Sequence, residues 1–540
     1  MHKWLVWPVI STALLTLLGG CSPQKYSANY TNGLVYCSES DPISMNPQLD
    51  TSTTTSDATA HQIYNRLLEF DTENGRIQPS LATSWSVSND GLLYRFSLRR
   101  NVKFHTTDYF TPGRPFDARD VLFSFNRWRL PQHSFHNVSG GYYPYFESLG
   151  LADNIADIKA LSPHEVEISL KQRDSSFLAN IASDFSVILS AEYADVLMSQ
   201  GIPERIDRLP IGTGPYQYAD YQKNHYIRYD VNNDYWQGTP ASKALIFDIT
   251  PKSSLRLAKL MTGECDAVAF PARVDHQIIR EREDLVLAEK PGLNIGFWAF
   301  NTERPPFDNP SVRKALAYAI DKNTLIEAVY FDSATRAKSL LPAASWAYQA
   351  DAQDTGYNPV LARQLLDEAG VAPGFTMSVW AIPVERAYNP NAQKMAELIQ
   401  RYLADIEVEV NIVSYDWSTF RRQLRQGNHD SVLIGWSADN GDPDNFYRPL
   451  LSCDAIPSGT NRARWCNPAY DEILDRAIQT EDVDIRKALY FQANELLFDK
   501  LPMVPIAHAY RYQAYREELS GMVINPYGGI RLGGVTKQRD

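Results

Sequence analysis

Short bursts of alternating apolar and polar residues recur along this chain, separated by segments with the 3.6-residue period of helices. Gly33-Leu-Val-Tyr-Cys37 reads as a first strand. From Pro79 to Leu98 two strands flank an Asn89-Asp90-Gly91 turn, with Tyr94, Phe96 and Leu98 sharing one face. Phe116 to Phe125 has helical spacing with Asp117 as N-cap, and a further helix is expected to begin before Ala60 and run to Leu68. The Thr and Ser run from Asp50 to Asp57 would cap that helix or line a polar cleft. Between residues 374 and 439 the pattern is β-α-β-α-β. Its parts are a strand over Thr376–Ile382, a helix with Asn389 as N-cap and Met395, Leu398, Ile399, Tyr402 and Leu403 on one face, a strand through Val408, Val410 and Ile412, a helix from Trp417 to Gln426, and an apolar run from Ser431 to Ile434. That order predicts an α/β fold with a largely parallel sheet.

The last apolar run turns directly into Asp439-Asn-Gly-Asp-Pro-Asp444, a dense cluster of turn formers. A carboxylate just beyond the carboxyl end of a strand stands where open α/β sheets bind their ligands. Arg386 follows the strand that ends near Ile382 and precedes a helix N-terminus, which also favours anions. A guanidinium can grip a carboxylate with two parallel hydrogen bonds. One cation and one anion on the same rim therefore suit a short zwitterionic peptide, Arg386 taking its carboxylate and Asp439 its ammonium. The purely structural alternatives are an Asx-rich turn bonded to its own backbone and an Arg386 paired with Glu385.

At 540 residues the chain exceeds one ordinary core and calls for two or three domains. A net charge of −12 argues against nucleic acid as a partner. Residues 1–21 read as an export signal: His2 and Lys3, an apolar stretch from Leu5 to Leu18, then Leu18-Gly-Gly-Cys21. The last four residues resemble a bacterial lipobox, in which the cysteine is lipidated; cleavage near Gly20 to a free protein is the alternative. Export leaves Cys37, Cys265, Cys453 and Cys466 in an oxidising compartment, with three possible pairings. We favour Cys453–Cys466, which closes a short loop after the acidic turn, and hence Cys37–Cys265. There is no Cys-x-x-Cys or paired-histidine spacing for a metal, and no Gly-x-Ser-x-Gly, His-Glu-x-x-His or Walker-type glycine loop. His61, His105, His276 and His508 are scattered and read as packing or surface residues. Neither an enzyme nor a cofactor is expected, an exported hydrolase being the rival class.

Several motifs together carry a family resemblance. Leu81-Ala-Thr-Ser-Trp85, Asp90-Gly91, Tyr94 to Arg99, Val102-Lys-Phe-His105 and Phe116-Asp-Ala-Arg-Asp-Val121 come first, followed by Pro210 to Tyr216, Tyr235-Trp236, Pro291 to Asn294 and Val312 to Leu316. Together they resemble family 5 extracellular solute-binding proteins, the peptide and nickel receptors of ABC importers. The likeness covers nearly all of the mature chain. It is closest to the Sap (sensitivity to antimicrobial peptides) and dipeptide-receptor branches, through Tyr36 to Glu39, Asn46 to Leu49, Pro383 to Asn391 and Asp439 to Phe446.

The resemblance implies a bilobal periplasmic binding protein fold of type II with an extra domain. Lobe I would combine 33–64, 182–292 and 510–540; an inserted domain II would be 65–181, and lobe III 293–509. It implies the same disulfide pairing. It also implies that Arg386 and Asp439 hold the ends of a peptide, with Thr51, Ala387, Tyr388, Trp436, Ser437 and Ala438 beside them. Short peptides, cationic antimicrobial peptides and haem are the candidate ligands. The partner would be an inner-membrane ABC permease, and the protein a periplasmic monomer, tethered if Cys21 is lipidated.

Overall fold

The computed structural model describes residues 33–71 and 75–538; the export signal and Cys21 lie outside them. A twelve-stranded sheet runs through the molecule and divides into two halves that share one long strand, Met503–Arg516. In the first half Gly33–Ser38 lies parallel to Ala244–Ile249 and to Ala267–Val268. Tyr226–Val231 and Tyr216–Gln222 extend it antiparallel. In the second half Phe375–Ala381 is parallel to both Val408–Val413 and Ser431–Ser437, the arrangement that the β-α-β-α-β pattern predicts. Asn294–Phe300 adds to it antiparallel, with all seven residues buried.

The two halves meet where strands change partners. Met503 to Ala509 pairs with Asn294–Phe300 and Ala334–Arg336. From Tyr510 onward the same strand pairs with Leu285–Pro291. The chain thus crosses from one half to the other at residues 291–294 and again at 509–510, and the cleft lies between the halves. The molecule is bilobal and α/β, of the type II class. A separate four-stranded antiparallel sheet contains Ala82–Val87, Leu93–Leu98, Ile155–Ser162 and Glu165–Leu170. Tyr94, Phe96 and Leu98 are buried on its inner face, as their alternation requires. The neighbouring helix Ala118–Arg129 starts at Asp117 in a full capping box.

Two element boundaries differ from the sequence reading. The Thr and Ser run is itself a helix, Thr53–Thr59, capped by Ser52; residues 60–63 form a turn and Arg66 makes an isolated bridge to Val187 instead of continuing a helix. The reason is competition for carbonyls: those of Gln62 and Ile63 accept from Tyr216 and Gly214, so no helix can use them. Likewise Asn391, not Asn389, caps the helix Ala392–Ala404. Asn389 is already engaged with Arg386 in a tight reciprocal turn, with N–H to O distances of 3.0 and 3.2 Å.

Cys37 is bonded to Cys265 and Cys453 to Cys466, with Cα separations of 5.9 and 4.5 Å. His61, His105, His276 and His508 are all buried. Among the described residues no helix is long and apolar enough to cross a membrane, and no cluster of His, Cys, Asp or Glu could hold a metal ion.

Candidate functional site

Arg386 stands in the turn that follows strand Phe375–Ala381. Tyr388 clamps that turn onto the sheet: a Cβ at Gly296 would run into the Tyr388 carbonyl, and one at Gly435 into its ring. Only glycine allows this approach. The guanidinium of Arg386 is 2% exposed. Its Nη1 donates to Glu39 Oε1 at 2.6 Å, across the cleft, and to the Glu385 carbonyl at 2.8 Å. The rings of Phe270 and Trp417 lie 5.6 and 5.3 Å from it. Its Nη2 is buried and has no hydrogen-bond partner among the described residues. Glu385 does not neutralise it, because its own carboxylate is taken by Arg256 at 2.7 Å.

The acidic turn separates its three carboxylates by task. Asp442 accepts from Arg486 at 2.8 Å and Asp444 from Arg448 at 3.1 Å, so both belong to the scaffold. Asn440 and Asp442 also bind backbone N–H groups two residues on, as an Asx-rich turn does. Among the described residues Asp439 has no cation. Its N–H is fixed by Asn445 Oδ1 at 2.9 Å, and its Oδ1 accepts from the Tyr145 hydroxyl at 3.0 Å. Its Oδ2 is buried and unpartnered among the described residues. Burial, and then the charge of Asp184, push this carboxyl well above the ordinary carboxylate range.

Arg386 and Asp439 both line one cavity between the lobes, which offers about 700 Å³ of space, part of it open to solvent. Thr51, Tyr388, Trp436 and Ser437 also line it, so six of the eight sequence-derived ligand residues come together. Ala387 and Ala438 do not. Ala387 lines a neighbouring pocket beside Phe270 and Tyr510, and Ala438 is fully buried, its N–H donating to the Leu293 carbonyl. Thr51 accepts from Arg421 Nη2 at 3.0 Å, and the same nitrogen bonds Asp50 at 2.6 Å across the cleft.

Sequence reasoning missed Tyr145, Asp184, Arg421 and Arg462 in this wall, and Glu39 and Asp50 behind it. Tyr145 sits 294 positions from Asp439, and no local pattern announces such a pair. Asp184 has its own partners, His61 at 2.9 Å and Arg66 at 3.7 Å; against the upward push of burial they hold its carboxyl down at about 2.

Two lobes hinged at a pair of strand crossings and closed on a polar cavity define a ligand-binding protein of the bilobal type II class. The chain belongs to the bacterial extracellular solute-binding proteins of family 5, whose profile matches residues 76–458. The crystal structure of a dipeptide binding protein from Pseudoalteromonas sp. SM9913 in complex with Met-Leu is 47% identical, covers 94% of this chain and 100% of its own, and superposes with a TM-score of 0.92. The probable ABC transporter periplasmic-binding protein SapA of Escherichia coli (strain K12) is 40% identical over 538 residues, 98% of each chain. Heme-binding protein A of Haemophilus influenzae is also 40% identical over 538 residues, again 98% of each chain.

Proposed function

We propose that this protein is the receptor of a peptide importer: it closes its lobes on a short peptide in the periplasm and delivers it to an ABC permease in the inner membrane. The observation that carries the reading is a matched deficit of charge partners. One cavity is lined by Arg386 and Asp439, whose buried Nη2 and Oδ2 have no partner among the described residues. A peptide brings an anion and an ammonium on one short chain. Its carboxylate goes to Arg386 and its ammonium to Asp439, while Thr51, Tyr388, Trp436 and Ser437 flank its backbone. The Met-Leu complex of the Pseudoalteromonas relative supports the ligand class.

The lobe I, domain II and lobe III boundaries given above remain our division of the chain, with a monomer as the working unit and Cys21 as the tether. The protein performs no chemistry on its cargo. Native mass spectrometry of freshly purified protein, followed by calorimetry with a dipeptide, tests the reading. A peptide should co-purify or bind with 1:1 stoichiometry and be recovered intact; cleaved peptide, or no binding by any short peptide, would refute it.

Haem is the second reading, because one relative is named for it. Among the described residues the cavity lining offers haem iron no His, Met or Cys, only the hydroxyls of Tyr145, Tyr388 and Tyr527, and that of Tyr145 is engaged by Asp439, which favours the peptide. Haemin that shifts its Soret band on addition and displaces a dipeptide would reverse that preference. The Sap-like role is tested by competition: a long cationic peptide should displace a labelled dipeptide if such peptides are cargo.

A further inference from the structure

Three arginines line the cavity: Arg386, Arg421 and Arg462. All three act on the Tyr388 hydroxyl, opposing the upward push of burial there. Two of them have carboxylate partners across the cleft, Arg386 with Glu39 at 2.6 Å and Arg421 with Asp50 at 2.6 Å. Arg462 is 8% exposed, yet its guanidinium makes no ion pair or hydrogen bond with any described residue. Around Tyr388 three cations therefore face two partner anions, Glu39 and Asp50, and the surplus charge is on Arg462.

Its electrostatics agree with that count. Burial, and then neighbouring Arg421, lower the Arg462 guanidinium to about 10, which still leaves it charged at neutral pH. Arg448 is comparably buried but paired with Asp444 and Asp475, and is pushed in the opposite direction. Arg462 is also held firmly. It lies inside the loop closed by Cys453–Cys466, its carbonyl accepts from His429 Nε2 at 2.7 Å, and the adjacent Asn461 amide donates to the Ser452 and Trp465 carbonyls at 3.0 and 2.8 Å.

We infer that Arg462 completes the carboxylate grip: its guanidinium and the free Nη2 edge of Arg386 together receive the C-terminal carboxylate of the bound peptide. The inference rests on the peptide-receptor reading and deepens it. Arg386 already shares its charge with Glu39, so on its own it would face two anions. Arg462 supplies the missing cation, and one ligand carboxylate neutralises this arginine cluster; Asp439, in the same wall, is left for the ligand ammonium. A second carboxylate, from an aspartate or glutamate side chain nearby, would leave a buried negative surplus. The site accordingly selects peptides whose C-terminal residue has a neutral side chain.

The test is a four-way cycle by calorimetry, using Ala-Leu and its C-terminal amide against the wild type and Arg462→Gln. In the wild type the amide should bind at least about tenfold more weakly than the acid. In Arg462→Gln the acid should lose about tenfold or more while the amide changes less than about twofold, so the amidation penalty shrinks. Retained amide binding also shows that the variant is folded. Should glutamine cost the fold, the same cycle with Arg462→Lys decides: the charge stays but the planar fork is lost, and the penalty should shrink by about threefold. A wild-type penalty that persists in full in the variant would overturn this inference and leave the peptide receptor standing. Equal binding of acid and amide by the wild type would overturn both.

Discussion

A carboxylate buried without a cation costs free energy, and Asp439 is such a group among the described residues. Its neighbours Asp442 and Asp444 show the alternative, each bound to an arginine of the same scaffold. Selection for stability alone would have paired all three. Asp439→Asn is therefore expected to weaken dipeptide binding at least about tenfold, since it removes the partner of a buried ammonium. The variant should unfold at the wild-type temperature or slightly above, because a desolvation penalty goes with the charge. Calorimetry and thermal melting check the two halves. Arg386→Met should lose affinity similarly but melt lower, because it strands Glu39 without its cation. As candidates both residues were legible in sequence, because each follows a strand end, Arg386 ahead of a helix start and Asp439 at the head of a cluster of turn formers. Glu39, Asp50 and Arg462 were not. Glu39 lies 347 positions from Arg386 and Asp50 371 from Arg421, so only the folded chain brings them together.

Elements with strong periodicity were read correctly from the chain. The Tyr94-Phe96-Leu98 hairpin and the parallel strands at 375–381 and 431–437 follow from alternation and length alone. The helix Thr53–Thr59 did not, since threonine is a weak helix former and the segment is held by burial of Thr54, Thr55, Asp57, Ala58 and Thr59. At this scale the short disulfide has a measurable role. Replacing Cys453 and Cys466 together should cost roughly 3 kcal/mol in denaturant unfolding by the loop-closure estimate, and it should weaken peptide binding by loosening the Arg462 loop.

His429, behind the same loop, offers a pH test. Burial holds its imidazole at about 4, below the ordinary value, so it is neutral when folded and protonates more readily when unfolded. Its contribution is complete above the ordinary histidine pKa of about 6.5 and is lost as pH falls toward 4. The stability difference between wild type and His429→Gln should therefore shrink by about 2 kcal/mol from pH 7 to pH 5. A difference independent of pH would contradict the buried neutral imidazole.

The whole molecule is a pair of lobes whose closure joins charges. Arg386–Glu39, Arg421–Asp50 and Arg256–Glu385 all span the cleft. Closing on nothing also buries the free charges of Asp439 and Arg462, so the empty protein is expected to open. Because burial raises the Asp439 carboxyl, its ionised form opposes empty closure, and that opposition grows as pH rises above the ordinary carboxylate range. Small-angle scattering at neutral pH should show a smaller radius of gyration on adding dipeptide. The ligand-free Asp439→Asn variant should be more compact than ligand-free wild type; identical profiles would remove the link between this charge and closure.

The central claim is that the cavity recognises both charged ends of one short chain. Titrating the wild-type protein with a dipeptide, its N-acetyl derivative and its C-terminal amide tests this most directly. The account predicts that each blocked form binds at least about tenfold more weakly than the free zwitterion. Equal affinity for all three would contradict it.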